Sequence, residues 1–181
     1  ILMSKLGKKA ILLPKDSSIK VDGNTLLVTG PKGTHKLSFN DKIFSSKTNE
    51  KNEFNIQPKN KDKKTSLMWG TYRSLINNAV LGVTKGHEKN LELSGVGFRA
   101  SLKGEQLVLL LGFSHEVKYT IPKGITVKVE KQTKLNITGS DKELVSKVSA
   151  DIKSLKPVEP YKAKGIKEKD QYVIRKEGKK K

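Results

Sequence analysis

The chain has 181 residues, with 37 Lys plus Arg against 18 Asp plus Glu and a formal net charge of +19. That length suits one large domain or two small ones, and 34% hydrophobic residues is low for a globular chain but too many for a wholly disordered one. A cation surplus this large opposes compaction by self-repulsion and favours a polyanionic partner. The absence of Cys excludes disulfides, thiolate zinc sites and Cys nucleophiles.

Residues up to Lys15 carry Lys5, Lys8, Lys9 and Lys15 and no acid, a basic arm that ends in a short apolar segment, Ala10 to Leu13. Ile19 to Val21 and Leu26 to Thr29 then flank Asp22-Gly23-Asn24. This is a strong hairpin signal, because Gly tolerates the positive φ of tight hairpin turns. A second turn, Gly30 to Gly33, leads to the alternating Lys36 to Phe39. Ile43-Phe44 and Phe54 to Ile56 read as two more short strands, separated by a polar loop from Ser45 to Asn52. After a charged linker, Lys59 to Lys64, the first helix follows, with Met68, Tyr72, Leu75, Ile76, Ala79 and Val83 on one face. Gly86 is its expected stop.

The second half opens on strands again. Leu91 and Leu93, then Val96, Phe98, Ala100 and Leu102, alternate with a phase slip at Gly95, which suggests a bulge. Lys103-Gly104 makes a turn, Leu107 to Phe113 reads as a buried strand, and Val117 to Ile121 and Ile125 to Val129 alternate on either side of Pro122 to Gly124. Leu135 to Ile137 is the last strand before Gly139. A capping-box sequence, Ser140 to Glu143, then starts a helix in which Leu144, Val148, Ile152 and Leu155 share a face. Lys156-Pro157 ends it. A Pro-rich basic segment, Pro157 to Gly165, and a strand-like Tyr172 to Ile174 complete the chain.

Strands closed by a helix therefore occur twice, which predicts an α+β fold of two tandem small domains, each an antiparallel sheet packed with one helix. The expected divisions are 1–85, 86–156 and a basic extension, 157–181. Leu13 to Gly30 also echoes Ile121 to Gly139 once one residue is inserted. The echo marks either a duplicated fold or two hairpins of one type.

The residues offer no catalytic constellation. His35, His87 and His115 are far apart and lack metal-ligand spacing. Gly95-Val96-Gly97 lacks the third Gly and the following helix of a dinucleotide fingerprint, and Gly30 to Gly33 lacks the strand-to-helix context of a P-loop. No metal, cofactor, small-molecule substrate or enzymatic activity is expected. Nor is a membrane partner: no apolar run approaches the roughly 20 residues of a span, and Ile1 to Lys5 is too short and polar for a secretory signal. What remains is charge. Residues 1–85 hold 16 cations and 6 acids, and residues 161–181 hold 9 and 3. A Lys-rich tail of this kind neutralises phosphates and releases their counterions. Only Arg73, Arg99 and Arg175 are Arg, a skew that speaks of an AT-rich genome more than of mechanism.

One run of residues resembles a known family. Glu159-Pro160-Tyr161-Lys162-Ala163-Lys164-Gly165-Ile166, followed by Tyr172 to Gly178, is similar to the ribosomal protein L-six family in its bacterial and organellar form. Val21 to Thr25, Gly30 to Gly33, Gly70 to Arg73 with Asn77-Asn78, Gly82 to Gly86, Gly95 to Ala100 and Leu111 to His115 support the likeness. It runs in order from Met3 to the end. The resemblance implies two tandem domains that arose by duplication. It also implies a structural role in the large ribosomal subunit, with binding to large-subunit rRNA near the sarcin–ricin loop and the stalk base, beside neighbouring ribosomal proteins. Carried over by position, the implied rRNA contacts are Tyr161, Lys162, Lys164, Gly165, Arg175 and Lys176, with Ser114 and His115 at a hairpin tip. Val158 stands where the family usually has a second Pro, and Ala163 where it usually has Gly. The two residues before Met3 and the Lys/Asn-rich loop from Ser45 to Lys64 favour a mitochondrial over a bacterial ribosome. The sequence shows no aromatic stacking platform, and RNA helices, read by shape and backbone, do not require one. A non-specific nucleic-acid packaging protein is the alternative.

Overall fold

Short hairpins dominate the first half of the chain in the computed structural model, which describes residues 5–49, 52–60 and 62–178. The start of the arm (1–4), one residue of the charged linker (61) and the last three lysines (179–181) lie outside the described residues. The chain divides into two compact units, Ile1–Gly86 and His87–Lys181.

In the first unit, β1 (Ile11–Leu12) is followed by β2 (Ser18–Asp22), β3 (Thr25–Gly30), β4 (Gly33–Ser38), β5 (Phe44–Thr48), β6 (Glu53–Pro58) and the helix α1 (Lys63–Thr84). Asp22 pairs with Thr25, so the β2–β3 turn has two residues. Its first, Gly23, has φ +54, as a type II′ turn requires. The antiparallel sheets are β2-β3-β4 and β1-β6-β5. The expected polar loop from Ser45 to Asn52 is partly strand: Ser45 to Thr48 pair with Gln57 to Phe54. β5 is an edge strand, where Ser and Lys are tolerated because one side of the ladder meets water.

The buried stripe of α1 is Thr65, Trp69, Ile76, Ala79, Val80 and Val83, with Tyr72 partly buried. Met68 and Leu75, expected on that face, are exposed. The stripe is set one residue later, by Trp69, whose Nε1 donates to the Ile56 carbonyl at 2.7 Å. Tyr72 joins Phe44 (ring centroids 5.0 Å) and Phe39 (6.4 Å, edge-on) in an aromatic cluster.

The second unit runs through β7 (His87–Ser94), β8 (Arg99–Lys103), β9 (Gln106–Leu110), β10 (Val117–Thr120), β11 (Ile125–Glu130), β12 (Lys134–Gly139), α2 (Lys142–Leu155) and β13 (Gly165–Glu168). Its sheets are β8-β9-β10 and β11-β12-β7-β13. Gly95 is not a bulge in one continuous strand. Gly95 to Phe98 is a turn between two sheets, closed by Phe98 N–H to the Gly95 carbonyl, and Val96 is exposed. A Cβ on Gly95 would meet the Phe98 ring at 2.9 Å. α2 starts one residue later than the capping box predicts. Asp141 is the N-cap, its carboxylate accepting the Glu143 N–H at 2.8 Å. Val145, Val148, Ser149 and Ile152 face the core, while Leu144 and Leu155 flank it.

The two units share one topology. In each, the first strand pairs with the last before the helix (β1 with β6, β7 with β12), the next three form a meander, and the final two form a hairpin. The sequence echo instead aligns β2–β3 with β11–β12, which occupy different places. It is a likeness between two hairpins, beside a duplication that the strand order displays. β13 has no counterpart in the first unit among the described residues. It also corrects the expected strand at Tyr172 to Ile174, which pairs with nothing in a sheet. The ladder forms earlier, Gly165 to Glu168 against Ser94 to Leu91, because Ile166 is the side chain that enters the core.

Candidate nucleic-acid interface

Six of the eight residues implied as contacts lie in 161–176. Pro157 to Lys164 forms a closed turn: Glu159 N–H donates to the Lys164 carbonyl (2.8 Å) and Ala163 N–H to the Glu159 carbonyl (3.1 Å). Ala163 holds φ +54 there, a conformation that suits Gly and explains the family's usual residue. Tyr161, Lys162 and Lys164 project from the turn and are exposed. The chain then returns, and the Lys176 N–H donates to the Pro160 carbonyl at 2.9 Å. This brings Arg175 and Lys176, both exposed, beside Tyr161 and Lys162.

Gly165 differs from the others. It is buried, with φ +142, and a Cβ would lie 2.7 Å from the Pro157 carbonyl oxygen. It seats the turn on the sheet rather than presenting a surface.

Ser114 and His115 are exposed in the connection from β9 to β10. That loop reaches the foot of the 157–164 turn. The Nζ of Lys156, the C-cap of α2, lies 4.4 Å from the Phe113 ring centroid, and Phe113 stacks on His115 with centroids 6.0 Å apart. Sequence reasoning misses Phe113 and Lys156, since it puts one in a buried strand and the other at a helix stop. The available signal is the i, i+2 spacing of Phe113 and His115, which sets two side chains on one side of an extended segment.

Ion pairs sort the cations. Glu168 accepts from Lys89 (3.0 Å) and Lys153 (3.1 Å), and these bonds, Lys89 first, hold its carboxyl below the ordinary value despite partial burial. Glu92 faces Lys134 (3.6 Å) and Lys167 (3.8 Å). These pairs fix β13 to the sheet and to α2. Among the described residues, Lys162, Lys164, Arg175 and Lys176 have no such carboxylate partner, so their charge is available to an outside anion.

The basic arm of the first unit is docked. Gly7 lies against the Trp69 ring, where a Cβ would come within 2.5 Å, and Arg73 donates to the carbonyls of Lys9 (3.2 Å) and Ala10 (3.3 Å). Lys5, Lys8 and Lys9 stay exposed.

The family model for ribosomal protein L6 matches this chain twice, over residues 13–86 and 94–169. The chain belongs to the ribosomal protein L6 family. The double match agrees with the repeated topology. The large ribosomal subunit protein uL6 of Rhodopseudomonas palustris is 44% identical over 179 residues, covering 99% of this chain and 100% of that protein. Those of Beijerinckia indica and Erythrobacter litoralis are 42% and 45% identical over the same extent. These family members are bacterial, and the expected mitochondrial origin finds no support in them.

Proposed function

We propose that this chain is a structural, non-enzymatic component of the large ribosomal subunit that binds large-subunit rRNA. The observation that carries this reading is a group of four cations without a carboxylate partner among the described residues, Lys162 and Lys164 on a hydrogen-bonded turn and Arg175 and Lys176 on the segment that hydrogen-bonds back to it. A preset group of cations matches phosphates with less ordering cost than a disordered run. Its rRNA site lies near the sarcin–ricin loop and the stalk base, and its protein neighbours are other ribosomal proteins of that region. Membership in the family and relatives named as large-subunit proteins support this reading.

Filter binding of the full chain to a large-subunit rRNA fragment carrying the sarcin–ricin loop, against an unrelated RNA duplex of equal length, tests it. Preference for the fragment at physiological salt is the expected result. Equal binding to both would favour a packaging protein.

A further inference from the structure

Phe113 is an odd residue to leave in solvent. It is 43% exposed on a six-residue loop whose ends are fixed, by the fully buried Leu111 on one side and by Val117 pairing with Leu109 on the other. Its ring lies within 17° of parallel to His115, at a 6.0 Å centroid separation typical of offset stacks. The ammonium of Lys156 sits over the same ring at 4.4 Å, close enough for a cation–π attraction. Two flat rings and one cation are thus held together on the surface next to the turn that carries Tyr161 and Lys162. Backbone recognition of an RNA helix needs cations and has no use for such a stack. An unpaired base does, since it loses its own stacking partners and regains them on aromatic side chains.

We propose that Phe113 and His115 form a stacking site for a single unpaired nucleobase of the rRNA, with Lys156 placed for that nucleotide's phosphate. This rests on the rRNA-binding reading above and adds a mode of recognition to it. The base extends the ring stack from the exposed His115, and the Phe113–Lys156 contact holds the platform in place before RNA arrives.

The test uses the full chain and a large-subunit rRNA transcript, titrated at several salt concentrations. The variants are His115→Ala, His115→Phe, Lys156→Gln and, as a reference, the double variant Lys162→Gln/Lys164→Gln. Stacking predicts that His115→Ala weakens binding about tenfold or more with an unchanged salt slope, and that His115→Phe restores it. Lys156→Gln lowers the slope by about one. A His115→Phe variant as weak as His115→Ala would overturn stacking in favour of a polar or ionic contact. A weakening by His115→Ala seen only in assembled subunits, and not with naked rRNA, would overturn it in favour of a protein neighbour. If the lysine double variant weakens binding while His115→Ala does not, the stacking site alone fails. If neither changes binding, the rRNA reading of this face fails with it. Thermal unfolding of each variant checks that the exposed substitutions leave the fold intact.

Discussion

Ala163 and Gly165 stand two residues apart with opposite relations to their backbone. Ala163 occupies φ +54, where a Cβ costs about 1–2 kcal/mol. Ala163→Gly is therefore expected to stabilise the second unit by about 1 kcal/mol, part of the gain being offset by the freer unfolded chain. Gly165 has both a positive φ and the Pro157 backbone against it. Gly165→Ala is expected to destabilise by at least ~2 kcal/mol, since the strained φ alone costs about 1–3. Urea unfolding of the two variants checks both signs. Glu168 adds a pH term. Its folded carboxyl titrates below the ordinary 4.5, so the stabilisation is present above that value and is lost as pH falls through the folded one. The carboxylate is 37% exposed, which discounts its worth to about 0.5 kcal/mol. Wild type and Glu168→Gln should differ by that amount near pH 6, and the difference should vanish as pH falls through the folded value, below 4.5, in urea unfolding.

At the level of elements, β13 separates two truncations that look alike in sequence. Removing 157–181 strips the edge of β7, deletes Ile166 from the core and leaves Lys89 and Lys153 without Glu168. Removing 171–181 spares all of these and takes away Arg175 and Lys176. The shorter truncation is expected to keep the unfolding profile of the second unit while weakening RNA binding, and the longer one to lower stability by several kcal/mol. Circular-dichroism melts beside binding curves distinguish them. The same strand shows where sequence reading stops. Hairpins signalled by Asp22-Gly23 and Lys103-Gly104, and helix ends signalled by Gly86 and Pro157, are local features and are legible. β13 is not, because one buried Ile among Lys and Glu carries no alternation; its placement comes from β7, more than 70 residues away in the chain. The α1 stripe is displaced for a related reason. Met68 and Trp69 are both large and apolar, and the Ile56 carbonyl that accepts the indole N–H, with Gly7 packed on the ring, favours Trp69 inward. At the candidate interface, the lysines are legible from composition. The Phe113–His115–Lys156 group is not, since it joins a β-loop to a helix end about 40 residues later.

For the molecule as a whole, the +19 charge acquires a distribution that composition could not supply. Part of it is neutralised inside the second unit, where Glu168 and Glu92 each face two lysines. Part stays exposed in the first unit's docked arm at Lys5, Lys8 and Lys9. A further group, Lys162, Lys164, Arg175 and Lys176, gathers on the turn after α2 and the segment that folds back on it. One topology is used twice, and among the described residues the second copy alone carries the extra strand with that turn. If these four cations are the principal binders of phosphate, salt-titrated binding to large-subunit rRNA will report it. The comparison is between the wild type and a variant with Lys162, Lys164, Arg175 and Lys176 all changed to Gln. Each phosphate deprived of its cation should reduce the slope of log affinity against log salt by about 0.7–0.9, so a fall of about three is predicted. An unchanged slope would contradict this assignment and move the interface elsewhere on the protein.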